Sequence, residues 1–140
     1  MTLKQFITSL EKIALTQKDV RTAGNGDIYT FMNSNPNLEY AVVFITQEQH
    51  RTTEYSDIYG VDIFYADRQV NFEGASNLQI QSIGKEVIMN IIRIFCDTYD
   101  ADLDGDIYWQ SWREKFADNC CGIYATVNIS VPLDTVCAED

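Results

Sequence analysis

The chain has 140 residues, a formal net charge of −11 and an apolar fraction of 46%. This length predicts one globular domain, and no apolar run is long enough to span a bilayer. The ten Lys and Arg residues are scattered between Lys4 and Lys115. The sequence therefore lacks the basic patch with which DNA-binding proteins displace counterions, although an acidic surface still permits contact with basic protein partners.

The four cysteines show no metal-binding pattern. Cys96, Cys120, Cys121 and Cys137 match no zinc-ligand spacing, and His50 is the one histidine in the sequence. The N-terminal segment lacks the charged and apolar regions of a signal peptide, so we expect synthesis in the cytosol. Free thiols are then expected, with Cys96 buried as a small apolar side chain and disulfides as the alternative. Adjacent Cys120 and Cys121 are predicted to point to opposite faces of a strand.

The N-terminal part of the chain is predicted to form one helix and one short strand. The helix covers Thr2 to Gln17, because apolar residues recur there at three- and four-residue spacing. Its stripe consists of Leu3, Phe6, Ile7, Leu10, Ile13 and Ala14. Lys18–Gly26 is a polar connector that ends in a Gly-Asn-Gly turn signal. Asp27–Asn33 follows as a short strand, and Asn35-Pro36-Asn37 turns the chain.

Two longer strands are predicted next. Leu38–Gln47 has apolar side chains on both faces, which favours a central position in a sheet or a face covered by a partner. Gln47–Thr53 is a polar loop that carries His50 and Arg51. Glu54–Asp67 alternates apolar and polar residues and is predicted to be a strand. One face of it is formed by Tyr55, Tyr59, Val61, Ile63 and Tyr65.

The longest element is a helix from Ser76 to Tyr99, after a connector from Arg68 to Ala75 in which Phe72 is expected to contact the core. Ser76 is the expected N-cap, and Gln79 the N3 residue of a capping box. The apolar stripe is wide enough to cover a sheet. It consists of Ile80, Ile83, Val87, Ile88, Ile91, Ile94 and Phe95. The solvent side is marked by Gln81, Lys85, Glu86, Asn90 and Arg93.

An acidic turn, Asp100–Asp106, follows this helix and matches the first half of an EF-hand loop. Acids occupy positions 1, 3 and 5, glycine position 6 and Ile107 position 8. Position 12 is Ser111, where a calcium site needs a bidentate Glu. We therefore interpret the segment as a solvated acidic turn, with calcium binding as the alternative, and assign no metal-binding residue.

The C-terminal part is predicted to form two strands. Ile107–Phe116 fits the period of a strand and that of a helix, and we favour a strand. Asp118-Asn119 is a predicted bend. Gly122–Val131 alternates cleanly, and Pro132 ends this strand. Its inward-facing residues are Ile123, Ala125, Val127, Ile129 and Val131.

The predicted order of elements is α-β-β-β-α-β-β, without a repeated β-α-β unit. It favours an α+β fold, in which the long helix and the N-terminal helix pack on an antiparallel sheet. We expect residues 1–132 to form a single domain and residues 133–140 to form a short acidic C-terminal tail.

No residue pattern indicates a catalytic site. No acidic pair stands out among the 21 Asp and Glu residues, and the sequence contains no motif of a serine hydrolase, a zinc protease or a phosphate-binding loop. We expect neither enzymatic activity nor a cofactor. Aromatic residues are more numerous than a small core readily buries, which favours a domain completed by neighbouring chains. These residues are Tyr55, Tyr59, Tyr65, Tyr108, Trp109, Trp112 and Tyr124.

The order of elements resembles that of small head–tail proteins of tailed bacteriophages, namely tail completion or tail terminator proteins and the ring proteins of the neck. The segment Phe116–Tyr124, followed by an alternating strand and Pro132, is similar to an F-x-D-N-x-x-G-W motif in such proteins of Bacteroidales phages, including crAss-like phages. Ile123 stands where the motif has its aromatic residue, and Tyr124 follows it. The order of elements covers nearly the whole chain, and the motif covers a short C-terminal part.

This resemblance implies a tail-terminator-like fold and a non-enzymatic virion protein, made in the bacterial host cytoplasm and located in the tail or neck. Copies would close into a homo-oligomeric ring, hexameric or dodecameric, and would contact portal, neck or tail proteins. Ring closure requires two different contact faces on each subunit. Neither sequence-specific nucleic-acid binding nor membrane contact is implied, and an acidic channel would let DNA slide without sticking.

A second function class fits the acidic composition equally, namely a small binding or inhibitor module that acts on a host protein. A stable monomer that binds a basic partner would favour this interpretation. A calcium-dependent module is a third interpretation, against which Ser111 argues.

Overall fold

The computed structural model describes residues 1–34, 38–68, 74–115 and 119–133. These ranges contain the helices α1 (Leu3–Leu15), α2 (Ile28–Ser34) and α3 (Gly74–Tyr99). The strands are β1 (Thr22–Asn25), β2 (Val42–Gln47), β3 (Arg51–Thr52), β4 (Ser56–Arg68), β5 (Asp102–Leu103), β6 (Tyr108–Lys115) and β7 (Asn119–Pro132). They form one sheet, antiparallel except for the β1–β2 pair. The predicted mixed α+β architecture with a mostly antiparallel sheet is therefore confirmed.

The sheet has β4 and β7 at its centre. Their antiparallel ladder runs without interruption from the pair Ser56–Pro132 to the pair Arg68–Cys120. On the other side of β4 lie β2 and β3, and β1 adds to β2. On the other side of β7 lie β5 and β6. Consequently β1 forms one end of the sheet, and β5 and β6 together form the other end.

The two long helices, α1 and α3, cover one face of the sheet. The Thr2 hydroxyl accepts a hydrogen bond from the Gln5 backbone N–H, and the Gln5 side chain accepts one from the Thr2 N–H at 2.8 Å, a capping box that begins α1. Phe6 of α1 packs against Tyr59 of β4 and Phe95 of α3, with ring centroids 4.6 and 5.1 Å apart. The predicted N-terminal helix and its buried face are thereby confirmed.

A second, smaller core lies on the opposite face of the sheet, beneath α2. Ile28 and Met32 of α2 are buried there against β2 and its neighbours. The prediction of a strand at Asp27–Asn33 is wrong. The Asp27 carboxylate accepts a hydrogen bond from the Tyr29 N–H at 3.0 Å, so this residue caps a helix.

Three further boundaries in the first half of the chain differ from the prediction. β1 lies within the segment predicted as the connector Lys18–Gly26. The strand predicted over Leu38–Gln47 begins only at Val42, and the predicted loop Gln47–Thr53 contains the two residues of β3. The predicted strand Glu54–Asp67 is confirmed by β4.

The long helix is confirmed, but its start and its stripe differ. α3 begins at Gly74, so Ser76 lies inside the first turn and is not the N-cap, and the predicted capping box with Gln79 is wrong. Ile92 is buried, whereas the predicted stripe residue Ile94 is 40% exposed. The buried side of α3 therefore faces the sheet through Ile80, Val87, Ile88, Ile91, Ile92 and Phe95.

The C-terminal strands follow the prediction closely. β6 (Tyr108–Lys115) confirms the preference for a strand within Ile107–Phe116, and β7 contains the predicted strand Gly122–Val131. Cys121 packs in the core beneath α1 and α3, and Cys120 packs in the core beneath α2, so the two thiols point to opposite faces as predicted.

Some predictions fall outside the described residues. These are the turn Asn35-Pro36-Asn37, the core contact of Phe72, Asp118 of the predicted bend Asp118-Asn119, and the tail beyond Leu133. Asn119 of that bend is the first residue of β7. The extent of the domain, residues 1–132, stays a prediction.

Candidate interaction surfaces

The sheet ends in two unlike edges. At one end lies β6, an eight-residue strand beside the short β5, and at the other end lies β1, with four residues. In the part of the chain that the structure describes, no strand pairs with the outer side of either β1 or β6. Both strands therefore present backbone donors and acceptors at the rim of the sheet.

The hydrogen-bond register of β7 identifies the backbone groups that β6 presents. The Asp104 N–H donates to the Asn128 C=O at 2.8 Å, and antiparallel partners exchange hydrogen bonds at every second residue. The even-numbered residues of β7 thus bond towards β5 and β6. In β6, Gln110 and its even-numbered neighbours bond to β7, and the N–H and C=O of Trp109 and Ser111 point away from the sheet.

The same alternation applies to β1. The N–H of Thr22 donates to the Ala41 C=O at 3.3 Å, and the N–H of Gly26 donates to the Ile45 C=O at 3.2 Å. The residues between them, Ala23 and Asn25, therefore direct their backbone groups outwards.

The β6 edge carries an uncharged aromatic segment. Tyr108–Trp112 contains one Tyr, two Trp and no charged residue. Tyr108 is 69% exposed, and the ammonium group of Lys85 lies over the ring of Trp109 at 5.2 Å. Exposed edge strands are usually protected by charges, proline or a bulge. Tyr108–Trp112 has no charge and no proline, and the charged residues Arg113, Glu114 and Lys115 follow it at the end of β6. The uncharged part of the strand is therefore typical of an edge that pairs with another chain.

Some of the aromatic residues in the predicted surplus are buried in the core, and others lie on the surface. Tyr59 and Tyr65 are buried, and burial is the main cause that raises the pKa of Tyr65. Tyr55, directly before β4, is 76% exposed. Tyr124 stacks on Phe64 with ring centroids 4.6 Å apart, on the sheet face opposite α1 and α3.

The part of that face left uncovered by α2 is largely polar, and we call it the open sheet face. It comprises Thr46, Glu48, Asp62, Tyr124, Thr126 and Asn128. The carboxylate of Asp62 accepts a hydrogen bond from the Thr126 hydroxyl at 2.6 Å. Glu48 is an exposed residue, and partial desolvation of its carboxyl raises its pKa, followed by the charge of Asp62 and a side-chain hydrogen bond with Asp62. Two carboxyl groups therefore meet on the open sheet face.

We expect Glu48→Gln to raise the melting temperature at neutral pH. The pKa of Glu48 is higher in the folded protein than in the unfolded chain, so folding disfavours its charged form. This penalty is fully present above the folded-state pKa and is lost as pH falls below the unfolded-state pKa. The gain should therefore shrink towards about pH 4 in thermal denaturation experiments. Glu86→Gln, on the exposed side of α3, is the matched control, and a gain that does not depend on pH would contradict the prediction.

His50 holds the segment between β2 and β3 against β4. Its Nδ1 accepts a hydrogen bond from the Gly60 N–H at 3.1 Å, and its Nε2 lies 3.2 Å from the Gln47 Oε1. The imidazole meets the ring of Tyr59 edge-on at 5.5 Å. An acceptor at Nδ1 assigns the proton of the neutral ring to Nε2. These contacts give His50 a structural role.

We expect His50→Ala to lower the free energy of unfolding by about 1–2 kcal/mol, because it leaves the buried Gly60 N–H without its acceptor. His50→Asn is the matched control, since its Oδ1 can replace the Nδ1 acceptor and should restore most of the loss. Urea denaturation measures both variants, and equal losses would contradict the role assigned to the hydrogen bond.

The carboxylates of the acidic turn Asp100–Asp106 do not converge on one point. Asp102 lies in β5, and Asp104 accepts a hydrogen bond from the Arg51 guanidinium at 2.6 Å across the β4–β7 pair. Asp100 and Gly105 have positive φ angles of 53° and 88°, which bend the chain on both sides of β5. Among the described residues, no group of three or more His, Cys, Asp or Glu side chains is arranged to hold a metal ion.

Among the described cysteines, Cys96 is a free thiol, the Sγ of Cys120 lies 3.0 Å from the Tyr40 hydroxyl, and the Cys121 thiol donates a hydrogen bond to the Asn77 Oδ1 at 3.3 Å. Cys96 is half-buried, whereas the sequence predicted a buried side chain. Burial is the main cause that raises the pKa of its thiol, and the negative charges of Asp102 and Asp97 raise that pKa further. It lines a groove of about 260 Å³ between α3 and β5, whose apolar residues are Met89, Ile92, Ala101 and Leu103. Cys137 lies outside the described residues.

Sequence reasoning missed the β1 edge and the contact of Glu48 with Asp62. The β1 residues, Thr-Ala-Gly-Asn, show no alternation and precede a glycine turn, so the sequence holds no local strand signal there. The Glu48–Asp62 contact depends on the register between β2 and β4, which no local pattern reveals.

Two findings concern the class of the protein. None of the helices in the described ranges is both long enough and apolar enough to cross a membrane. The chain matches no protein-family model, and a search of curated proteins finds no significant match.

Proposed function

We propose that this protein is a structural, non-enzymatic virion component that forms a homo-oligomeric ring at the head–tail interface of a tailed phage, with a tail-terminator-like fold. The observation that carries the proposal is the pair of unlike free edges, β1 and β6, at opposite ends of one sheet. A closed ring needs heterologous contacts, in which each copy presents two different surfaces to its neighbours. The resemblance of Phe116–Tyr124 to the motif of phage head–tail proteins supports the same role.

The charge of the chain supports a ring through which DNA passes. A formal net charge of −11 repels the phosphate backbone at short range. The partners in this proposal are further copies of the chain and the portal, neck or tail proteins stacked on the ring. Nucleic acid would pass without sequence-specific contact, and no membrane is involved.

Electron microscopy of the purified protein tests this proposal. We expect class averages of closed rings with a central opening and one cyclic symmetry. Open filaments would contradict ring closure. Small single particles that bind a basic host protein would replace the ring with the second function class, an acidic binding or inhibitor module.

A further inference from the structure

We propose that the two free edges pair with each other between copies, so that β6 of one copy adds to β1 of the next as an antiparallel strand. The sheet would then continue from copy to copy, with α1 and α3 of all copies on the same side. This inference rests on the proposed function and names the contact through which the ring closes.

The strand directions support this pairing. β1 runs parallel to β2 and therefore antiparallel to β4. β6 runs antiparallel to β7 and therefore parallel to β4. A neighbour in the same orientation thus brings its β1 alongside β6 in the opposite direction. Antiparallel pairing is the commoner arrangement and needs no crossover connection.

The outward backbone groups also match. β6 presents the N–H and C=O of Trp109 and Ser111, and β1 presents those of Ala23 and Asn25. In an antiparallel hydrogen-bonded pair the two residues exchange both bonds and place their side chains on the same face. Pairing Ser111 with Ala23 and Trp109 with Asn25 would satisfy both edges in this way.

The side-chain faces agree with this register. Trp109 is the partner of Ala125 in β7, and Ala23 is the partner of Val43 in β2. Ala125 and Val43 both belong to the core beneath α1 and α3, and Trp109 and Ala23 pack against it. The residues that would exchange hydrogen bonds between copies therefore lie on the same face in both copies, as the pairing requires.

The surroundings of the edges suit a second copy. Ser111 and Ala23 are small, which leaves room for two strands to approach. Large apolar side chains on the elements beside β1 are exposed, Leu15 of α1 by 51% and Tyr29 of α2 by 53%. Pairing of β6 with another β6 would produce a two-fold dimer and leave β1 unused, and such a contact cannot close a ring by itself.

Disulfide cross-linking tests the pairing. Ser111→Cys and Ala23→Cys are made in separate samples, mixed and oxidised mildly. Hydrogen-bonded antiparallel partners have Cα atoms about 5.5 Å apart, within the range of a disulfide. We expect at least about ten-fold more linked dimer in the mixture than in either variant alone. The unmodified chain measures the background from native cysteines, and Asn25→Cys in place of Ala23→Cys detects a register shifted by two residues.

The mass of every sample before oxidation separates the possible results. Rings without enhanced linkage in either mixture would overturn the pairing and leave the proposed function standing. Strong linkage of Ser111→Cys to itself would overturn it in favour of a two-fold contact. Monomers in every sample, the unmodified chain included, without linkage would overturn both the pairing and the ring.

Discussion

Ser111→Pro should leave a folded chain that assembles more weakly. The N–H of Ser111 points away from the sheet, so proline there removes no hydrogen bond between β6 and β7. In contrast, a strand that a neighbouring copy adds to β6 would no longer receive a hydrogen bond from residue 111, and it would clash with the proline ring. We expect the apparent dissociation constant to rise at least about ten-fold, measured by light scattering, with circular dichroism of the parent retained.

Gln110→Pro is the matched control for that experiment. The N–H of Gln110 bonds to Tyr124 of β7, so proline at this position breaks the ladder and should destabilise the fold by about 3 kcal/mol or more. If Ser111→Pro unfolds as readily as Gln110→Pro, the direction assigned to the backbone groups of β6 is wrong. If Ser111→Pro assembles like the parent, the β6 edge is not the contact between copies.

Gly122→Ala should prevent stable folding. Gly122 lies in β7 opposite Ala66 of β4, where the two central strands approach closely. A Cβ at this position would collide with the backbone carbonyl oxygen of Tyr65 and lie 2.9 Å from its carbonyl carbon. Because both strands are held in the centre of the sheet, neither can move without loss of its ladder. We expect a cost above about 4 kcal/mol, seen as loss of soluble protein or of cooperative unfolding.

Asn128→Ala provides the comparison on the same strand. Asn128 is exposed on the open sheet face, so its substitution should change the free energy of unfolding by no more than about 0.5 kcal/mol. A Gly122→Ala variant as stable as Asn128→Ala would show that β4 and β7 are farther apart at this point than the structure has them.

The parts of the fold that the sequence predicts are those with a long, consistent period. α1 and α3 repeat apolar residues along one face over several turns, and β4 and β7 alternate over many residues, so tertiary contacts only reinforce the local pattern. α2 shows the limit. Its β-branched and aromatic residues favour a strand, but the Asp27 cap and the packing of Ile28 and Met32 on the sheet favour a helix.

The sequence reveals the composition of the candidate interface but not its position in the sheet. The uncharged aromatic segment Tyr108–Trp112 can be read directly from the chain. Its position at a free edge depends on which strands become neighbours, since β5, β6 and β7 lie next to one another but β1 pairs with β2 across an intervening helix. Such long-range pairing is fixed by the packing of the whole sheet, and a four-residue strand carries too few side chains to predict it.

The mass of the purified protein in solution is the most direct test of the ring. Light scattering over a range of concentrations, with excess calcium and with chelator, should give one discrete species of about 96 or 192 kDa, a hexamer or dodecamer of the 16.0 kDa chain, with no effect of calcium. A mass of about 16 kDa at every concentration would contradict the account of a self-closing ring.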